Sequence, residues 1–63
     1  MSAIQISQKN ADEAIKLGRT WDAKLWNATA RAYKAGDEAS AKRMSLVASG
    51  ATGYDSELFA KYI

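Results

Sequence analysis

The sequence predicts an all-α protein of one small domain over residues 1–63. It reads as a helical hairpin, with a long helix over about 8–35 and a second over about 38–49, plus a short C-terminal helix over about 55–62. Three observations carry this expectation. From Ala11 to Ala35 the apolar or small residues Ala11, Ala14, Gly18, Trp21, Leu25, Ala28, Ala32 and Ala35 recur at alternating intervals of three and four, the heptad spacing of a helix seam. The chain contains no Pro and four Gly, too few turn formers for a β-sandwich or barrel. Gly36 and Gly50 stand where helices of this length need to stop.

Taken in order, residues 1–7 carry only Ile4 and Ile6 in weak alternation. They are expected to be frayed or disordered, or a short edge strand. Ser7 and Asn10 are the candidate caps of the long helix. Asp12 and Glu13 then suit its positive end, and Ile6 can staple onto Ala11. Gly18 is read as a close backbone approach within a continuous helix, because the heptad passes through it in phase. The competing reading makes Gly18 a C-terminal stop and Thr20 a new cap. Ala35, Gly36 and Asp37 leave room only for a tight hairpin, with Asp37 as the next cap. The second helix presents Ala41, Met44, Val47 and Ala48. After the loop Gly50–Gly53, a cap at Thr52 or Asp55 opens a short helix carrying Leu58, Phe59, Tyr62 and Ile63.

The segment Trp26–Asp37 (WNATARAYKAGD) locally resembles a tetratricopeptide hairpin, with Leu25, Ala28, Ala32, Gly36, Ala41 and Ala48 on its small and apolar positions. Thr29 stands where that pattern has Gly, Ser45 where it has an aromatic residue, and no Pro closes the unit. The resemblance covers under half of the chain. It implies a closely packed antiparallel pair and assigns no family.

Composition narrows the function. Hydrophobic residues make up 48% of the 63, but 13 of them are alanine, which leaves a thin supply of bulky side chains for a core. There is no Cys and no His, which removes disulfides, thiol nucleophiles, triads and the commonest metal ligands. The acidic residues at 12–13, 37–38 and 55–57 sit where helix caps want them, and Gly50–Gly53 lacks the Lys of a phosphate loop. The expectation is a protein that is not an enzyme and holds no cofactor and no metal. No membrane span or signal segment is read from the sequence, so a soluble cytoplasmic protein of the bacterial or phage accessory type is expected.

Two surfaces remain. With Trp21 at zero on a helical wheel, Trp26 falls near 140° and Ile15 and Tyr33 near 120°, so the two tryptophans cannot share one stripe. Trp21 is assigned to the intramolecular seam. The Trp26–Tyr33 stripe is either covered by the aromatic tail or is an interface, homomeric or with another protein. The expected partner-binding residues are Trp26, Tyr33, Arg19, Asp22, Ile15, Phe59 and Tyr62, of the types that dominate protein contacts. Asp22 is read as pairing with Arg19 or with the Trp26 N–H, or as a polar specificity element.

The net charge is +2, and Lys16, Lys24, Arg31 and Lys34 lie on the polar side of the long helix, with Lys42 and Arg43 on the next. Such a face can track phosphates, or it can simply be a solvated surface. The leading functional expectation is therefore a small, self-associating protein–protein interaction module, a binder, adaptor or inhibitor. The alternative is a nucleic-acid-binding helical protein using the basic face.

Overall fold

In the computed structural model, which describes residues 1–54 and 56–63, the chain is all-helical, with no strand among those residues. Four helices follow one another: α1 (Ala3–Lys16), α2 (Thr20–Lys34), α3 (Glu38–Ala48) and α4 (Ser56–Ala60). The all-α class and the hairpin hold, and α2 packs against both α1 and α3. The proposed caps at Thr52 and Asp55 both concern the start of α4, and Asp55 lies outside the described residues.

The long helix over 8–35 is corrected: it is two helices, broken at Gly18. Leu17 closes α1, Gly18 takes φ +74°, and the chain reverses into α2. The N–H of Arg19 donates to the Ala14 carbonyl (2.8 Å) and that of Gly18 to Ile15 (3.0 Å), the paired bonds of a Schellman stop. The same device recurs at Gly36 (φ +80°), where Asp37 N–H reaches Ala32, and at Gly50 (φ +84°), where Ala51 N–H reaches Leu46. The residue after each stop has no side-chain role in common with the others. Arg19 caps α2 with no side-chain hydrogen bond to the helix backbone, whereas the Asp37 carboxylate accepts from Ser40 N–H (3.2 Å) and caps α3.

The start of the chain is also corrected. Residues 3–7 are helical, and Ser2 is the cap. Its hydroxyl accepts from Gln5 N–H (3.2 Å) while the Gln5 side chain accepts from Ser2 N–H (2.9 Å), a reciprocal capping box. Ser7, expected to cap, is instead buried inside α1 with its hydroxyl donating to the Ala3 carbonyl (2.9 Å).

Because α2 lies between α1 and α3, it is buried on two flanks. One flank (Leu25, Ala28 and Ala32) meets Ala41, Met44 and Ala48 of α3 and Phe59 of α4, and these seven side chains form the main core. Ala23 and Ala30 are buried but lie outside that cluster, about 150–200° around the helix from it. They face α1, whose buried residues are Ser7, Ala11 and Ala14. The buried residues of that seam are all small side chains, which permits close approach of α1 and α2. Thr29, in place of the hairpin's Gly, is fully buried, and its hydroxyl donates to the Leu25 carbonyl (2.8 Å).

Candidate functional site

The wheel position of Trp21 predicts burial, but Trp21 is 47% exposed and leans on Tyr54 with ring centroids 5.6 Å apart. The break at Gly18 is the cause: Trp21 lies in the first turn of α2, one residue after its start at Thr20, and meets the loop after α3 instead of a continuing seam. Tyr54 in turn stacks on Phe59 at 4.8 Å. This aromatic series runs from the core to the surface.

Trp26 and Tyr33 behave differently. They are seven residues apart, nearly in line on α2, and both are half-buried and packed against the core. Their outer sides form the floor of a groove whose walls are α1 and α3. Two depressions meet at Asn10 and Trp26. One runs past Ala3 and Ile6 of α1, Tyr33 of α2 and Ser45 of α3. The other runs past Glu13 and Leu17 of α1, Asp22 of α2 and Ser49 beyond α3. The wall on α1 is a stripe that the sequence reading missed: Ala3, Ile6, Asn10, Glu13 and Leu17 recur at three, four, three and four, beside the buried Ser7–Ala11–Ala14 seam. The spacing was visible. It is a weak signal because the stripe mixes apolar with polar side chains and begins within residues 1–7, whose sequence carries only Ile4 and Ile6 in weak alternation.

The polar groups of the groove are sparsely satisfied within the chain. Among the described residues, the Asn10 amide, the Trp26 indole N–H and the Tyr33 hydroxyl have no hydrogen-bond partner, and Glu13 has no ion pair. Asp22 is paired with Arg19, Nε to Oδ2 at 2.8 Å, as one of the expected readings had it. No aromatic of the tail lines either depression.

The tail docks elsewhere on its own core. Phe59 is 1% exposed, inside the main cluster. Tyr62 donates its hydroxyl to Asp37 Oδ2 (2.8 Å), and its carbonyl accepts from Arg31 Nη1 (2.6 Å), on the side of α2 away from Trp26. Lys61 Nζ approaches the same carboxylate at 3.9 Å. Hydrogen bonds from Ser40 and Tyr62, with Lys61 adding, hold the Asp37 carboxyl below its ordinary range; the bond to Asp37 raises the Tyr62 phenol. The expected partner-binding set therefore divides. Trp26, Tyr33, Arg19 and Asp22 come together at the groove. Phe59 and Tyr62 are held in the core and the tail latch, and Ile15 is exposed outside the groove.

The basic residues are not gathered. Lys24, Arg31 and Lys34 share the solvent face of α2, but Arg31 is engaged with the tail. Lys16 is exposed at the end of α1, and Lys42 and Arg43 stand about 100° apart on α3. Among the described residues no group of His, Cys, Asp or Glu is placed to hold a metal ion, and no helix is long and apolar enough to cross a membrane. Comparison of the chain with protein-family models, curated proteins and solved structures finds no match.

Proposed function

We propose that this chain is a non-enzymatic protein–protein interaction module, and that the groove between α1 and α3 is where it takes hold of another protein. One observation carries the reading. Trp26 and Tyr33 form a half-buried aromatic floor between two helix walls, and the chain's own aromatic tail, the obvious candidate to cover them, is docked on the other side. Tyr and Trp anchors set in a partly desolvated depression are the side chains that dominate protein interfaces. A role as binder, adaptor or inhibitor in a bacterial cytoplasm, built on occupancy instead of turnover, belongs to the same reading. So does self-association, for which the half-exposed Trp21–Tyr54 pair and Leu17 (72% exposed) offer an apolar surface at the Gly18 end.

The test is affinity capture from lysate, with and without nuclease, using the wild-type chain, a Trp26→Ala/Tyr33→Ala variant and a Lys24→Ala/Lys34→Ala variant. Arg31 is left intact because it holds the tail. Loss of about 2 kcal/mol at an anchor weakens binding by roughly 30-fold, so the aromatic variant should lose its partner while the lysine variant keeps it. Circular dichroism on each variant separates lost binding from lost folding. Capture that disappears only with the lysines, or only on nuclease treatment, makes the nucleic-acid reading correct instead.

A further inference from the structure

Resting on that reading, we infer that the groove's occupant is an extended peptide segment that places a Lys or Arg side chain at the Glu13–Asp22 end. Two independent features point to this chemistry. The first is charge. At that end Glu13 and Asp22 supply two carboxylates against the single guanidinium of Arg19, leaving the depression net negative in a chain whose overall charge is +2. Helices α1 and α3 end there and α2 begins there, so two negative helix ends stand against one positive; Lys16 offsets the end of α1, whereas α3 has no basic residue in its last turn. Trp26 lines the same depression, and an indole ring is attractive to a cation.

The second feature is hydrogen bonding. The Asn10 amide, the Trp26 indole N–H and the Tyr33 hydroxyl follow one another along the groove, each half-buried and none bonded within the described chain. A helix entering the groove brings a backbone that is already satisfied internally and can meet these groups only with side chains. An extended segment brings free N–H and C=O groups to meet them. Ile6 and Tyr33 at the far end then receive an apolar side chain.

The experiment uses a phage-displayed library of random octapeptides selected on the wild-type chain, and on Glu13→Lys, whose position is exposed and whose folding is checked by circular dichroism. The expected result is enrichment of peptides with a Lys or Arg beside apolar residues. The synthesised consensus should shift the Trp26 indole and Asn10 amide signals in a nitrogen–proton correlation spectrum and leave the Trp21 indole in place. Glu13→Lys should weaken the consensus peptide by tenfold or more. Peptides enriched without a basic residue, binding unchanged in Glu13→Lys, shifts confined to Trp21, or no enrichment at all would each overturn the inference. If capture from lysate still depends on Trp26 in any of those cases, the interaction reading stands and only the cationic occupant is lost.

Discussion

Replacing Gly18 by Ala decides between one long helix and two, because the two geometries predict opposite signs. In the structure Gly18 sits at φ +74°, and a Cβ added there meets no atom within 4 Å. The effect is therefore purely one of backbone conformation. Holding an L-residue in the left-handed region costs about 1–2 kcal/mol. Alanine also restricts the unfolded chain, which offsets about 0.4–1 kcal/mol. The net expectation is a loss of about 1 kcal/mol, which in a domain of this size lowers Tm by roughly 4–8 °C. In a continuous helix the same substitution would add about 1 kcal/mol and raise Tm by a similar amount. Thermal unfolding followed by circular dichroism reads the sign directly. A synthetic chain with D-alanine at position 18 supplies the mirror control, since a D-residue prefers positive φ, and it should melt above the wild type. A rise in Tm with L-alanine, or a fall with D-alanine, would refute the turn.

Two further expectations concern the core and the tail. Phe59→Ala removes the largest fully buried side chain, at a cost of about 3–5 kcal/mol, comparable to what a core of this size supplies; cooperative unfolding should vanish, and a Tm within a few degrees of the wild type would contradict the packing. The Asp37–Tyr62 latch makes stability fall at both pH extremes. The depressed Asp37 pKa contributes stability at neutral pH that is lost as pH drops through its folded value, below 3.8, and the raised Tyr62 pKa contributes stability below 10 that is lost as pH climbs through its folded value. Tyr62→Phe should flatten the alkaline arm in urea titrations and shrink the acid arm, which Ser40 and Lys61 still support; an unchanged alkaline arm would place that dependence on another group.

How far the sequence could be read depended on whether a signal was local. Gly36, Asp37 and Gly50 mark stops and a cap by their own conformational preferences, and α3 falls within a residue of where it was expected. The heptad was a less reliable guide. Its members Ala11, Ala14, Leu25, Ala28 and Ala32 are all buried, but on two different seams: α1 turns back at Gly18, so the unbroken phase from Ala14 to Trp21 joins residues that never share a face. Gly18 carries the same stop signal as Gly36 and Gly50, and Ser2 with Gln5 is a capping box in plain view. Periodicity runs against both signals, because it cannot sense a chain reversal of a few residues. Ala23 and Ala30 were invisible for a related reason: the flank they bury exists only because α1 folds onto α2. The Trp26–Tyr33 stripe is legible as a surface, but its second wall comes from α1, whose first turn has little apolar periodicity to announce it.

The small-residue seam beneath α1 links two properties that are usually separable. Since Ala11 and Ala14 of α1 and Ala23 and Ala30 of α2 are buried where the two helices pack, an added methylene there presses on close-packed neighbours and shifts α1 outward. That same helix carries Ile6, Asn10 and Glu13 on its outer edge. A substitution buried beneath α1 thus widens the groove without touching its surface. On the proposed function, partner preference would be open to drift from underneath, through alanines that a survey of exposed residues would pass over.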